Sequence, residues 1–285
     1  MSGSLSSDSR VWLITGAAGG LGRAITAAAL GCGDRVVAAA RRPERLEGLV
    51  PAESAQSLAV PLDVTDPSQV KATVEASLAR FGRLDVVVNN AGAAIFGAFE
   101  EVAEDQVRRL LEVNLFGAMH VARAVLPQLR KQQSGHIIQI SSASGQDARP
   151  GVGTYATTKF ALEGFSESLA KEVEPFGIKL TIVEPGRFRT NFSRSVEQAA
   201  QPLRAYAPTL SGPREALLAH LDDQRGDPDR AAQAILAVVD ADRPPLRLPL
   251  GEDAFERIRS KVSRQEADWR LWEQTIVGTD FEEAC

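Results

Sequence analysis

The stretch Val11-Trp12-Leu13-Ile14-Thr15-Gly16-Ala17-Ala18-Gly19-Gly20-Leu21-Gly22 decides the fold of this chain. Its apolar start predicts a strand, its glycines predict a tight turn, and the Ala-rich residues 23–30 predict a helix. At Gly16, Gly20 and Gly22 no side chain blocks the backbone N–H groups of a helix N-terminus from a pyrophosphate. A glycine-rich turn of this kind can also be a simple tight turn that binds nothing. Its position after a first strand favours a dinucleotide site.

Apolar runs that alternate with helical stretches continue along the chain. Further strands are predicted at residues 35–40, 58–62, 84–89, 137–140, 179–183 and 246–250. Helices are predicted at residues 67–81, 104–130, 154–173 and 231–239. Strands that are apolar on both faces imply a parallel sheet covered by helices on both sides. We therefore expect an α/β protein, a single-domain doubly wound Rossmann fold with a seven-stranded parallel sheet that binds ligands at the carboxyl ends of its strands.

The same pattern gives the expected domain boundaries. Residues 1–9 are Ser-rich and are expected to form a disordered tail. Residues 10–251 form the main domain, in which residues 187–229 break the alternation and are expected to cover the substrate as a lid. The amphipathic residues 252–285 are expected to add a helical extension to that domain.

Composition excludes several classes of function. The net charge is -5 and no long basic tract occurs, so nucleic-acid binding is not expected. No apolar run could span a bilayer and the N-terminus lacks the features of a secretory signal, so we expect a cytoplasmic protein without a membrane partner. Cys32 and Cys285 make no disulfide framework, and no Cys/His cluster has the spacing of metal ligands, so no metal is expected.

The chemistry of the chain is suggested by Tyr155 and Lys159, which lie four residues apart on a predicted helix and therefore share a face. A free phenol has a pKa of about 10, and a nearby ammonium favours the phenolate, so Lys159 is expected to lower the pKa of Tyr155. Ser142, in the turn after an apolar run, adds a hydroxyl that could bond the same substrate oxygen. The three residues together describe a proton donor for a carbonyl. Taken alone, the Tyr-x-x-x-Lys pair is more often a surface contact of an amphipathic helix.

With these residues placed, residues 11–250 resemble the short-chain dehydrogenase/reductase family. Thr15-Gly16-x-x-x-Gly20-x-Gly22 looks like its cofactor turn, Leu62-Asp63-Val64 like its adenine-contacting segment, and Asn89-Asn90-Ala91-Gly92 like the end of its fourth strand. Pro185-Gly186 with Thr190 resembles the segment that holds the nicotinamide carboxamide. The resemblance implies a catalytic tetrad and a set of cofactor-binding residues. The tetrad is Asn114, Ser142, Tyr155 and Lys159. The cofactor-binding residues are Thr15, Gly16, Ala18, Gly20, Leu21, Gly22, Arg41, Arg42, Asp63, Val64, Asn90, Ala91, Gly92, Tyr155, Lys159, Pro185, Gly186, Phe188 and Thr190.

Two positions depart from the commoner family pattern. Thr158 replaces the usual serine before the lysine and keeps its hydroxyl, whereas Phe188 replaces a smaller residue after the Pro-Gly and alters the expected pocket. The resemblance also implies a mechanism, in which Tyr155 donates the proton and Ser142 binds the substrate oxygen. Lys159 lowers the pKa of Tyr155 and binds the ribose hydroxyls, and Asn114 holds a water that links Lys159 to solvent.

Cofactor preference is predicted from the end of the second strand, Ala40-Arg41-Arg42. An NAD site usually has a carboxylate there for the ribose 2′-hydroxyl, whereas arginine suits a 2′-phosphate. We therefore expect NADP(H) to be preferred over NAD(H). The alternative is that Arg41 and Arg42 only solubilise a loop.

The substrate is expected to be a lipophilic carbonyl compound or alcohol, because several larger apolar residues follow the strand ends. The candidate substrate residues are Ile95, Phe96, Ser144, Phe188 and Phe192. Each phenylalanine could instead pack into the core. The resemblance also implies a homodimer or homotetramer that pairs through helices 104–130 and 154–173.

Two other functions are compatible with parts of this sequence. A dinucleotide-sensing or scaffold protein could share the fold, but it would have no use for Tyr155. A sugar-nucleotide epimerase or dehydratase also uses a Tyr-x-x-x-Lys pair, but it usually carries a larger C-terminal substrate domain than the residues after 179 could form.

Overall fold

The computed structural model describes residues 9–51, 54–219 and 224–281, with the backbone alone for 216–219. Apart from Ser9, the predicted tail lies outside the described residues. So do residues 220–223 of the predicted lid and 282–285 of the predicted extension.

Seven strands form one parallel sheet. They are β1 (Val11–Thr15), β2 (Arg35–Ala40), β3 (Ser57–Pro61), β4 (Val86–Asn89), β5 (Gly135–Ile140), β6 (Ile178–Pro185) and β7 (Arg247–Leu250). Their order across the sheet is β3-β2-β1-β4-β5-β6-β7, and every neighbouring pair is parallel. The order reverses direction beside β1, which places a crevice at the carboxyl ends of β1 and β4. The predicted doubly wound fold with seven strands is confirmed.

Eight helices of eight or more residues are found in the described part of the chain. They are α1 (Gly20–Gly31), α2 (Pro67–Phe81), α3 (Glu104–Leu111), α4 (Gly117–Gln132), α5 (Gly153–Val173), α6 (Ala207–Ala219), α7 (Pro228–Asp240) and α8 (Glu252–Val277). The α2 bounds follow from local signals, since Asp66 caps the first turn, Pro67 opens the helix and Gly82 ends it in a left-handed conformation. Among the described residues, no helix has the length and apolarity needed to cross a bilayer.

The sheet separates two apolar cores. Trp12 and Ile14 of β1 face a core shared with α1 and α7, and Val11 and Leu13 face the core shared with α2, α4 and α5. This alternation along a strand buried on both faces explains why the strand sequences show no polar side. The two cores fix the sheet, and the loops at its carboxyl edge are left to form a site.

The structure differs from the sequence predictions at two places that bear on function. The single helix predicted at 104–130 is two helices joined by a π-helical segment, Glu112–Phe116, which contains Asn114. Within the predicted lid, Glu197–Gln198 pairs in parallel with Ile95–Phe96, and α6 follows. Two-residue strands about a hundred residues apart leave no periodic signal in the sequence.

Candidate active site

The predicted site residues meet at the carboxyl edge of the sheet. The glycine turn follows β1, Asn90 follows β4, Ser142 follows β5 and Gly186 follows β6. The carboxyl ends of parallel strands lie at one edge, so these loops are brought together although they are distant in sequence. Helix α5 supplies Tyr155 and Lys159 to the same edge.

Thr15 and Asn90 fasten two of these loops to each other. The Asn90 amide Nδ2 donates to the carbonyl oxygens of Thr15 and Gly16, at 3.0 and 3.1 Å. The Thr15 hydroxyl accepts from the backbone N–H groups of Asn90 and Ala91, at 3.0 and 3.1 Å, and donates to the Val88 oxygen. These two predicted cofactor residues therefore support the glycine turn from beneath.

The glycine turn has no room for side chains at two of its positions. Gly16 has φ +65°, and a Cβ there would lie 2.9 Å from Asn90 Nδ2. A Cβ at Gly22 would overlap Asn90 Nδ2 and lie 2.5 Å from the Gly16 oxygen. Gly19, in contrast, has open space around it and precedes the first turn of α1. The N–H groups of that first turn are available to an anion.

The surroundings of the turn fit a negatively charged cofactor. A cavity of about 350 Å³ opens beside Gly20 and is lined by Arg23, Arg189 and Arg194. Thr190, from the loop after β6, is 3.5 Å from the position of a Cβ on Gly20. Glycine backbone, a helix N-terminus and guanidinium groups together suit a pyrophosphate. The residues present therefore fit the dinucleotide that the sequence predicts.

Tyr155 and Lys159 are both buried, and they lie on one face of α5 as predicted. The Lys159 ammonium is 5.9 Å from the centre of the Tyr155 ring and donates to the Ile140 oxygen at 2.8 Å. The Ser142 hydroxyl is hydrogen-bonded to the phenol. The structure thus brings the three predicted catalytic side chains together beside the glycine turn.

Burial dominates the electrostatics of this pair. It raises the pKa of Tyr155 to about 12, although the Ser142 hydrogen bond and the charge of Arg257 act to lower it. Burial also lowers the pKa of Lys159 to about 8, against the favourable charge of Glu163. The expected net lowering of the pKa of Tyr155 by Lys159 is therefore wrong for this structure, because desolvation of the phenolate outweighs the lowering effects of Ser142 and Arg257. A phenol that keeps its proton near neutral pH is nevertheless suited to donate it.

Asn114 and Lys159 both approach Gly92, and three hydrogen bonds hold the Asn114 side chain. A Cβ on Gly92 would be 3.3 Å from Asn114 Oδ1 and 3.8 Å from Lys159 Nζ. Asn114 Nδ2 donates to the Ala93 oxygen and the Thr158 hydroxyl, both at 2.9 Å, and Oδ1 accepts from the Ala93 N–H. The hydroxyl of Thr158, noted as a departure in the sequence, thus holds this asparagine. A water held by Asn114 stays a prediction.

The outer cofactor residues have the following environments. Arg41 and Arg42 are exposed directly after β2. Asp63 accepts from the N–H and the hydroxyl of Thr65, at 3.0 and 2.8 Å. Val64 is buried, and its oxygen lies 3.1 Å from a ring nitrogen of His120. Of these four described residues, Asp63 and Val64 are held within the protein, whereas Arg41 and Arg42 are exposed to solvent.

The candidate substrate residues form a smaller apolar surface beside Tyr155 than expected. Ile95 shares an apolar cluster with Tyr155, and the Phe192 ring centre is 6.2 Å from that of Tyr155. Phe96 is buried, and its ring would meet a Cβ on Gly151. Ser144 is buried, and its N–H donates to the Ser142 hydroxyl at 3.1 Å.

The prediction that Phe188 contacts the substrate is wrong. Phe188 is buried in the core shared with α1 and α7, where Gly226 approaches it. The Gly226 N–H donates to the Arg187 oxygen at 3.1 Å, and the Gly226 oxygen accepts from the Arg189 N–H at 2.9 Å. Phe188, between these two arginines, is held against Gly226 by this pairing. Burying a large aromatic ring gains more than exposing it at a pocket rim, so the core explains the unusual phenylalanine.

The sequence reasoning missed Arg257 and Asp147. Arg257 Nε, on α8, is 2.9 Å from Asp147 Oδ2, and its Nη2 lies 3.5 Å from the Ser144 hydroxyl. The C-terminal helix therefore brings a cation to the loop that carries Ser142. No local motif signals this contact, because its partners are 110 residues apart.

A buried carboxyl pair next to Lys159 was also missed. Arg247 Nε is 3.2 Å from Glu163 and 3.6 Å from Glu184, and both carboxyl side chains are almost fully buried. Burial, followed by the nearby charge of Glu163, raises the pKa of Glu184 to about 7, against the favourable effect of Arg247. One arginine is shared, so the two carboxyl groups resist being charged together.

Comparison with known proteins now identifies the class. The family model described as short chain dehydrogenase matches residues 10–201, and the chain belongs to this family. "Oxidoreductase BOA17" of Botryotinia fuckeliana (strain B05.10) is 42% identical over 92% of this chain and 97% of its own length. "3-ketodihydrosphingosine reductase" of Bacteroides thetaiotaomicron is 37% identical over 85% of this chain and 88% of its own. A solved short-chain dehydrogenase from Streptomyces avermitilis is 44% identical with a TM-score of 0.90, and the alignment covers 96% of this chain and all of that one. The chain is therefore an oxidoreductase that acts on CH–OH or carbonyl groups with NAD(P).

The crowding at Gly22 predicts a loss of cofactor binding in Gly22→Ala. The added methyl group must displace the Asn90 amide or the Gly16 carbonyl, so the dissociation constant for the cofactor should rise at least about tenfold. Gly19→Ala is the matched control, because its methyl group enters open space. Fluorescence titration of both variants with NADPH measures the difference. Equal affinities in the two variants would count against the glycine turn as the cofactor site.

The raised pKa of Glu184 predicts a pH-dependent stability. Its folded-state pKa, about 7, lies above the ordinary value of 4.5 for a glutamate, so its contribution to stability is fully present below pH 4.5 and is lost as the pH rises through 7. Glu184→Gln removes a group that must ionise in the core. The variant should match the wild type near pH 5 and exceed it at pH 8 by at most on the order of 3 kcal/mol in free energy of unfolding.

Urea unfolding at the two pH values tests this expectation. Glu47→Gln, on an exposed glutamate, is the control and should stay within about 0.5 kcal/mol of the wild type at both. A Glu184→Gln variant less stable than the wild type at pH 8 would show that the charged form is stabilised.

Proposed function

We propose that this chain is an NADP(H)-dependent oxidoreductase that interconverts a lipophilic ketone or aldehyde and the corresponding alcohol, with Tyr155 as general acid and base. The observation that carries the proposal is the phenol of Tyr155, buried, hydrogen-bonded to Ser142 and placed beside Lys159 at the sheet edge that holds the glycine cradle. The reaction class also follows from the family assignment, which does not depend on the position of the Tyr155 phenol.

In the reductive direction, Tyr155 gives its proton to the substrate oxygen. A bound nicotinamide supplies the hydride that the carbonyl carbon receives. Ser142, which bonds the phenol, is placed to hold the same oxygen and polarise it. The pKa of Tyr155 near 12 keeps the proton on the phenol until charge develops on that oxygen.

Lys159 and Asn114 act behind the phenol in this proposal. Lys159 supplies a positive charge as the phenolate forms, and its ammonium can also bond the ribose hydroxyls of the cofactor. Asn114 holds Ala93 and Thr158, and thereby the segment after β4 and the middle of α5. In this proposal it also holds a water that connects Lys159 to solvent.

The preference for NADP(H) rests on the end of β2. The described residues there present the exposed Arg41 and Arg42 and no carboxylate directly after Ala40. A guanidinium can make charge-assisted hydrogen bonds to a 2′-phosphate, whereas it offers no acceptor to a 2′-hydroxyl.

The substrate class rests on the surroundings of Tyr155. Apolar side chains of Ile95, Val102 and Ala199 share its cluster, and Phe192 lies over the ring from the segment after β6. These residues favour a bulky apolar group beside the carbonyl. The Bacteroides relative, named as a reductase of 3-ketodihydrosphingosine, supports a keto compound as substrate.

The protein is further proposed to be a cytoplasmic homodimer or homotetramer. Phe116, in the π-helical segment before α4, and Phe160, on α5, are 42% and 44% exposed within the ranges that are predicted to pair. Large apolar side chains exposed on neighbouring helices are typical of subunit contacts.

The first prediction of the proposal concerns Tyr155→Phe. Removal of one oxygen leaves the ring and its packing, so folding and cofactor affinity should persist while kcat falls about 10²- to 10⁴-fold. Steady-state reduction of an aromatic ketone with NADPH, beside NADPH titration of the same variant, measures both quantities. A variant with wild-type kcat would remove Tyr155 from the mechanism.

The second prediction concerns Arg41→Ala. Loss of a charge-assisted hydrogen bond to the 2′-phosphate should raise KM for NADPH about 10- to 100-fold and leave KM for NADH nearly unchanged. Arg45→Ala is the matched control, because Arg45 is exposed on the same loop but four residues further along. An equal effect on both cofactors, or a wild-type preference for NADH, would contradict the assignment.

The third prediction concerns Phe192→Ala. Loss of the ring over Tyr155 should raise KM for a bulky aryl ketone about fivefold or more, with little change for acetone, because only the larger group reaches that ring. Phe99→Ala serves as control, since Phe99 is 79% exposed. Efficient reduction of polyhydroxylated substrates alone would refute the lipophilic class.

A further inference from the structure

The C-terminal helix α8 carries an apolar stripe with a heptad spacing. Its members recur at alternating intervals of three and four residues, with one polar member in the series. We call them the α8 stripe: Phe255, Ile258, Val262, Gln265, Trp269, Trp272 and Ile276. An apolar repeat of this period places the side chains along one side of a helix, which is the pattern of a coiled-coil seam. The helix has 26 residues and is therefore about 39 Å long.

This stripe is exposed along most of its length. Val262, Trp269 and Trp272 are 55%, 61% and 63% exposed. Arg264 Nη2 still reaches Asp147 Oδ1 at 3.4 Å, whereas residues 266–281 of the described chain are all exposed. Trp269 and Trp272 lie on this exposed part of the helix. Together they form an exposed apolar surface, which is typical of an interaction site.

We propose that the α8 stripe is covered by the α8 stripe of a second copy of this chain, with the two helices antiparallel about a two-fold axis. In this register Phe255 packs against Trp272 of the second copy, Ile258 against Trp269 and Val262 against Gln265. The axis passes between residues 263 and 264. Each layer then pairs a residue from one half of the helix with one from the other half, as a two-fold contact requires.

The charges beside the stripe support this occupant. The same register places Arg259 opposite Glu266 of the second copy, and Lys261 opposite Asp268. Both pairs have opposite charges, and the two-fold axis repeats each of them. Such flanking pairs set the partner and the orientation of coiled coils.

A parallel arrangement is less complementary. It would place Lys261 opposite Glu266 of the second copy but Asp268 opposite Glu273, so a pair of opposite charges is offset by a pair of like charges. The antiparallel register has one like pair, Glu252 and Glu273, near the helix ends. There Arg225 already lies 3.4 Å from Glu252 and offsets its charge.

The composition of α8 argues against a membrane as the binding partner of the α8 stripe. The helix carries six acidic and five basic side chains, so its polar face is mixed and slightly negative. Helices that lie on anionic membranes are instead rich in Lys and Arg on the polar face. A self-complementary partner fits the mixed face better.

The test compares the mass of the full-length protein with that of two variants by light scattering after size exclusion. Val262→Glu/Trp269→Glu buries charge in the seam, so the mass of the wild-type assembly should fall by half. Leu271→Glu places the same charge on the same helix away from the stripe and should keep the wild-type mass. NADPH binding and circular dichroism report whether each variant is folded. The outcome does not depend on the proposed substrate.

Charge reversal tests the orientation and needs no change in the apolar seam. Lys261→Glu should weaken the assembly about three- to tenfold in sedimentation equilibrium, and Lys261→Glu/Asp268→Lys should restore it. The single variant Asp268→Lys separates the two orientations. Residue 268 faces Lys261 in the antiparallel register, where the assembly should weaken, and Glu273 in the parallel one, where the assembly should strengthen.

Three results would overturn the proposal. One is an unchanged mass in the folded Val262→Glu/Trp269→Glu variant. Another is a double charge reversal that is weaker than Lys261→Glu alone. The third is wild-type binding to phosphatidylcholine/phosphatidylserine vesicles that this stripe variant loses without any change in mass.

Discussion

The hydrogen bonds between Asn90 and the backbone of the glycine turn are the constraint on which the site depends. One amide nitrogen bonds the carbonyl oxygens of Thr15 and Gly16, and the Thr15 hydroxyl bonds the two N–H groups that follow β4. These bonds hold the ends of two central strands in a fixed relation and occupy the space where Cβ atoms at residues 16 and 22 would lie. The glycines are thus required by the protein's own packing, and the open backbone above them is what a dinucleotide can approach.

At the carboxyl edge of the sheet, burial affects the pKa values of the catalytic side chains more than charge pairing does. The phenol of Tyr155 and the ammonium of Lys159 both lose water, so the pKa of the first rises and that of the second falls. Reduction of a carbonyl requires the protonated phenol of Tyr155 as the proton donor. The positive charge of Lys159 stabilises the phenolate that forms when this proton is transferred. Arg257 adds a second cation near the phenol from the C-terminal helix. The extension beyond the sheet therefore takes part in the electrostatics of the site.

How much the sequence predicts depends on how local the signals are. Helix α2 was predicted at its observed bounds because Asp66, Pro67 and Gly82 mark its ends. The carboxyl edge followed from the strand pattern, which fixes where loops after parallel strands must meet. Phe188 was misplaced because the choice between a pocket wall and the core depends on Gly226, which is distant in sequence. The contact of Arg257 with Asp147 and the raised pKa of Tyr155 also arise from tertiary contacts and burial, which no spacing reveals.

The central claim is that this edge of the sheet transfers hydride between a nicotinamide cofactor and a carbonyl carbon while the protein supplies the proton. The most direct measurement uses NADPH that carries deuterium on one face of C4, an aryl ketone as substrate and mass spectrometry of the alcohol. The account predicts one deuterium on the carbinol carbon from one face of the cofactor and none from the other. An alcohol without label from either face, or with deuterium on carbon when only the solvent is D2O, would contradict it.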